Sequence, residues 1–123
     1  MLTYLYIAVG GALGSAGRYW MAGAVDERLN DTLPWGTLVV NVLGSLAIGA
    51  LAGVASLPSG ARLLLVVGLC GGFTTFSAFS LQTVELLREG AVGRAAANVL
   101  AAVCVCVAAT WIGLAAVARS PLG

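Results

Sequence analysis

Histidine is absent from the 123 residues, and only 9% of them are charged against 60% that are hydrophobic. Soluble domains carry about 25% charged residues, so a mean hydropathy of +1.01 excludes ordinary soluble composition and places the chain in a membrane. Without histidine, zinc and haem sites lose a principal ligand. The three cysteines, Cys70, Cys104 and Cys106, all sit in apolar runs, where a thiol behaves as a small hydrophobe. They point to neither disulfides nor a metal. A net charge of +1 argues against nucleic acid as a partner. Lys and Arg are missing before Arg18, so the start lacks the positive region of a cleavable signal peptide and is expected to stay as a first span.

What is present is a set of long uncharged stretches. Arg62 and Glu85 bracket 22 uncharged residues, Arg94 and Arg119 bracket 24, and Pro34 and Pro58 bracket 23. A helix needs roughly 20 apolar residues to cross the hydrocarbon. With the segment from Met1 to about Val25, where Arg18 is the single charge, the pattern predicts four transmembrane helices over about 2–25, 34–57, 62–88 and 94–118. The short connections leave no room for a soluble domain, so one domain is expected over 1–123. Arg88-Glu89-Gly90 reads as a helix stop before the fourth span.

The arginines are divided almost evenly. Arg62 and Arg119 fall on the side of the termini, and Arg28, Arg88 and Arg94 on the other, with Arg18 at the edge of its span. Orientation follows Lys/Arg excess in short loops, and an excess of one or two predicts insertion in both orientations as readily as in one. Four helices enclose little space on their own, so oligomerisation is expected. With dual insertion the natural partner is an inverted second copy.

The third span conflicts with itself. Residues 71–80 read Gly-Gly-Phe-Thr-Thr-Phe-Ser-Ala-Phe-Ser, and paired glycines with clustered hydroxyls at mid-depth are tolerated only where protein or a water-lined cavity meets the freed backbone. Gly71 and Gly72 predict a break near 71–75. The freed carbonyls either coordinate a cation or mark a simple kink.

In the second span Asn41 is the single amide, with Thr37 and Ser45 four residues to either side and therefore on its face. Asn41 reads either as interhelical glue or as an N–H donor to a passing anion, which must regain the hydrogen bonds of its lost water shell. All three phenylalanines lie at Phe73, Phe76 and Phe79. Phe76 and Phe79 share a helical face, as ordinary packing or as ring edges, which carry positive potential, offered to a small anion. Thr75, Ser77, Ser80 and Thr110 add hydroxyl donors. Glycines in spans 1 and 2, including the Gly10 and Gly14 pair, read as sites of close helix packing.

Three motifs, in this order, resemble the Fluc/CrcB fluoride channels over essentially the whole chain. They are Gly11-Ala12-Leu13-Gly14 running to Arg18-Tyr19, Trp35-Gly36-Thr37 to Asn41-Val42-Leu43-Gly44-Ser45, and Gly71-Gly72-Phe73-Thr74-Thr75-Phe76-Ser77. The resemblance implies an all-α integral membrane protein of the plasma (cell inner) membrane, with four transmembrane helices, the third broken, assembled as an antiparallel dual-topology homodimer. It implies two pores that pass fluoride down its gradient and reject chloride, removing fluoride that enters as hydrogen fluoride and ionises inside.

It also implies a structural sodium ion at the dimer centre, held by the main-chain carbonyls of Gly71 and Thr74. The pore rings then fall at Phe76 and Phe79, the pore amide at Asn41, and track hydroxyls at Ser77, Ser80 and Thr110, with Thr37 on the Asn41 face. Arg18 matches a first-span arginine that either draws anions into a vestibule or makes a structural pairing. Two positions depart from the family pattern, Ala78 for a threonine and Gln82 for a glutamate; Cys104 also lies on the fourth-span track, where a serine hydroxyl would be a better donor.

Two other classes compare poorly. A small multidrug-resistance exporter shares the length and span count, yet needs a buried acid in span 1, and residues 2–25 contain none. An enzyme would need a nucleophile paired with a base, and no motif supplies one.

Overall fold

A computed structural model describes residues 1–119; the last four positions of the domain expected over 1–123 lie outside the described residues. The described chain is helical throughout, with no strand among those residues. The helices are α1 (Leu2–Asp26), α2 (Trp35–Gly53), α3 (Ser59–Arg62), α4 (Gly71–Phe73), α5 (Phe76–Arg88) and α6 (Val92–Ala118). A wide-turned π-helical stretch, Leu63–Cys70, joins α3 to α4.

Three helical segments are long and apolar enough to cross a membrane: Trp35–Gly53, Ser59–Arg88 and Val92–Ala118. The fourth, α1, has 25 residues and is about 37 Å long at 1.5 Å per residue. Its tyrosines, glycines and Arg18 dilute its hydropathy without shortening it.

Local chemistry sets the helix ends. The Asp26 carboxylate, at the end of α1, accepts the Gly36 N–H at 2.7 Å. It thereby serves one of the orphan donors of the first turn of α2 from ten residues upstream. The stop after α5 is a Schellman motif. Gly90 takes φ 76°, the Ala91 N–H reaches the Leu86 carbonyl at 2.8 Å, and the Gly90 N–H reaches the Leu87 carbonyl at 3.0 Å. Only a glycine adopts that backbone angle without strain.

Small residues bring the helices together in two parallel pairs. A Cβ on Gly10 would press on the Leu64 carbonyl oxygen and one on Gly14 on that of Leu69, so contact advances the same way along α1 and the π-helical stretch. Likewise a Cβ on Gly49 would meet the Thr110 carbonyl and one on Gly53 the Val117 side chain, which pairs α2 with α6. Backbone-to-backbone approach of this kind is how helices associate where lipid removes the hydrophobic drive between them.

Burial is inverted relative to a soluble protein. The buried apolar side chains are Val40, Cys70, Leu86, Ala95 and Ala109, whereas leucines, valines and tryptophans along every long helix are exposed. So extensive an apolar surface requires lipid or other protein against it.

Candidate functional site

Between α4 and α5 the chain leaves helical geometry for two residues. Thr74 has φ −84° and ψ 156°, and Thr75 has φ −150° and ψ 116°, both extended. Asn41 of α2 clips onto this stretch. Its Nδ2 donates to the Thr75 carbonyl at 3.0 Å, and the Thr75 N–H donates back to Asn41 Oδ1 at 2.8 Å. The amide thus pairs with an extended residue as a neighbouring strand would.

The consequence for nearby carbonyls follows from helical bookkeeping, in which each carbonyl accepts from the N–H four residues on. The N–H due to Gly71 is that of Thr75, which Asn41 has taken. The N–H due to Thr74 is that of Ala78, which donates instead to Thr75 Oγ1 at 3.2 Å. Thr75 is the N-cap of α5, a role its hydroxyl suits.

The carbonyls on either side of Gly71 are differently served. That of Cys70 receives both the N–H and the hydroxyl of Thr74, each at 3.0 Å. That of Gly72 receives Arg18 Nε at 3.3 Å and the Ser15 hydroxyl at 3.4 Å. Gly71 and Thr74 therefore lose their helical donors and hold oxygens suited to a hard cation. Among the described residues, no cluster of three or more His, Cys, Asp or Glu side chains is placed to bind a metal.

Next to the extended residues lies a cavity of about 360 Å³ between α2, α5 and α6. Its wall is mostly apolar, and Phe76 and Phe79 stand together in it with ring centroids 5.3 Å apart and planes inclined at 52°. The polar side chains lining it are Asn41, Ser45, Thr74, Thr75 and Cys106. The cavity brings together Asn41, Phe76 and Phe79 from the set named in the sequence.

The other named hydroxyls stand outside its lining. Thr110 donates to the Cys106 carbonyl at 3.1 Å and Ser80 to the Phe76 carbonyl at 2.9 Å, each one turn back along its own helix. Ser77 shares a hydrogen bond with Thr75 at 3.2 Å between hydroxyl oxygens. Thr37 is buried at 7% exposure, one turn before Asn41. On α6 it is Cys106 that lines the cavity, and Cys104 is exposed. Cys104 does not line the cavity either, because residues two apart on a helix point to different faces.

A smaller polar recess of about 160 Å³ lies at the far end of α5, among Asp31, Gln82, Glu85, Glu89 and Arg94. Arg94 reaches Glu89 at 3.8 Å across an exposed pair and donates to the Asp31 carbonyl at 3.3 Å. Gln82 Oε1 is buried there without a hydrogen-bond partner. Deeper in the helix pair, buried Asn98 of α6 donates to Thr83 Oγ1 at 3.0 Å. The sequence reading passed over Asn98 although it is the only amide in its span.

These features define an all-helical, multi-pass membrane protein with a largely apolar cavity beside a short extended segment. The sequence model of the family described as CrcB-like protein, Camphor Resistance (CrcB), matches residues 5–114. The chain belongs to that family. Its relatives include proteins named fluoride-specific ion channel FluC. That of Opitutus terrae is 49% identical, with 99% of this chain and 98% of the relative covered. That of Rhodospirillum rubrum is 48% identical, covering 91% and 92%, and that of Methylocella silvestris is 46% identical, covering 91% and 90%.

Proposed function

We propose that this chain is a fluoride-selective ion channel of the plasma membrane that conducts fluoride passively and lowers its cytoplasmic concentration. The observation that carries this reading is the likeness, over nine-tenths or more of the chain, to relatives named as fluoride-specific channels. The protein is a channel and not an enzyme. No observation favours a proton-coupled exporter, and α1 carries no acid before Asp26.

The route runs through the cavity of α2, α5 and α6. Within the cavity fluoride sheds water and exchanges it for the amide of Asn41 and the edges of Phe76 and Phe79; beyond its lining the path continues along the hydroxyls of Ser77, Ser80 and Thr110, with Thr37 one turn from Asn41 along α2. Ring edges carry positive potential, and they suit a small anion without a charged ligand that would trap it. A hydroxyl now bonded to a carbonyl one turn back has only to rotate, exchanging a neutral hydrogen bond for a stronger charge-assisted one. Chloride is too large to make the same contacts in a constriction.

The working unit is an antiparallel homodimer in lipid, each copy contributing a third helix broken at Thr74 and Thr75. Support comes from the exposed apolar faces, which need cover, and from the even split of arginines. A structural sodium ion suits the carbonyls of Gly71 and Thr74, whose helical donors are diverted. When bound it would supply a fixed positive charge beside the break in the third helix. Arg18, bonded to the Gly72 carbonyl, holds the neighbouring carbonyl away from that role.

The reading is tested by fluoride efflux from liposomes containing the purified protein, followed with a fluoride electrode and compared with chloride. Rapid fluoride release with chloride retained is expected, and equal passage of both ions, or of neither, rejects it.

A further inference from the structure

The cavity's hydrogen-bond inventory singles out a residue that the pore reading leaves unused. Of its five polar side chains, three are engaged. Asn41 is bonded twice to Thr75. The Thr74 hydroxyl donates to the Cys70 carbonyl, and the Thr75 hydroxyl caps α5 while sharing a bond with Ser77. The side chains of Ser45 and Cys106 carry no hydrogen bond among the described residues. A thiol is a weak donor, so Ser45 is the strong-donor side chain of this cavity that makes no hydrogen bond at all.

Its freedom is unusual for its setting. Serine and threonine inside helices commonly bond the carbonyl four residues back, as Thr74, Ser80, Thr83 and Thr110 all do here. The equivalent acceptor for Ser45 is the Asn41 carbonyl, and that bond is not made. Ser45 also stands one turn from Asn41 on the same face of α2. Asn41 uses one of its two amide hydrogens on Thr75 and keeps the other.

We propose that Ser45 is a direct fluoride ligand that determines specificity, its hydroxyl and the second N–H of Asn41 forming a two-donor seat facing the Phe76 and Phe79 rings. The inference rests on the fluoride-channel reading and adds a residue to its path. An anion arriving at Ser45 displaces no existing bond, whereas at Ser80 or Thr110 a bond within the helix must first break. Fluoride concentrates its charge in a smaller radius and so gains more from each of these donors than chloride does, which favours fluoride.

The test compares Ser45→Ala and Ser45→Thr with the wild type in the liposome efflux assay, for fluoride and for chloride. Alanine is the better helix former, so Ser45→Ala keeps the fold. Losing one hydrogen bond to a charged group is expected to slow fluoride efflux by about tenfold or more and to narrow the ratio over chloride, and Ser45→Thr, which restores a hydroxyl, is expected to recover most of the rate. Wild-type efflux in Ser45→Ala overturns the assignment. Equal slowing in both variants overturns it too, because then side-chain shape and not donation matters. Failure of the wild type itself to pass fluoride would instead reject the channel reading.

Discussion

The side chain of Asn41 and the backbone of Thr75 exchange two hydrogen bonds, at 3.0 and 2.8 Å, and this pairing joins the cavity to the interruption of the third span. Asn41 presents an amide to the cavity and, by the same contact, withdraws the N–H that would otherwise close a helical turn on Gly71. One residue thereby shapes both the cavity and the carbonyls beside it.

Asn41→Asp separates these roles. A carboxylate still accepts the Thr75 N–H but cannot donate to the Thr75 carbonyl, and it places negative charge in the path. Fluoride efflux is expected to fall by about tenfold or more, the equivalent of one charge-assisted hydrogen bond. Liposome efflux alongside size-exclusion elution checks that the loss is not one of folding. Normal efflux would remove Asn41 from the path.

Phe76 is 78% exposed, so Phe76→Ile leaves the core undisturbed while removing the ring edge. Aromatic edge contacts are worth about 0.5–1.5 kcal/mol, which converts to a slowing of roughly two- to tenfold. The electrode trace reads this directly, and an unchanged rate would move the path away from Phe76.

Thr75→Val removes the cap of α5 and the partner of Ser77 without changing shape. A lost N-cap costs about 1 kcal/mol, so the thermal midpoint in detergent is expected to drop, with Thr75→Ser close to wild type. Equal midpoints for valine and serine would show that the extended backbone is held by Asn41 alone.

Arg18 donates from Nε to the Gly72 carbonyl. Arg18→Lys keeps the charge but loses the guanidinium geometry. The expected outcome is a lower thermal midpoint with the salt dependence of efflux unchanged. The reverse pattern, an intact midpoint with altered salt dependence, would assign Arg18 to anion attraction.

Much of the architecture was legible in the chain itself because its signals are local. The uncharged runs between Arg62 and Glu85 and between Arg94 and Arg119 locate membrane-length helices whatever they pack against. Arg88-Glu89-Gly90 announces its stop because the left-handed angle at Gly90 needs no distant partner. The Gly71-Gly72 pair flags trouble in the third span for the same reason.

Only the tertiary structure decided which hydroxyls are free. Ser80, Thr110 and Ser45 look alike as residues, but the first two bond their own helices and the third faces a cavity unbonded. Cys104 and Cys106 are separated by two positions, and helix rotation against α2 puts the second in the cavity wall. The diversion of the Thr75 N–H to Asn41 spans 34 residues, a contact that no local pattern encodes. Composition and periodicity determined the spans, since burial in lipid acts on each helix separately; hydrogen-bond partnership depends on which helices meet, and that was settled by the glycine-to-backbone contacts that pair α1 with the π-helical stretch and α2 with α6.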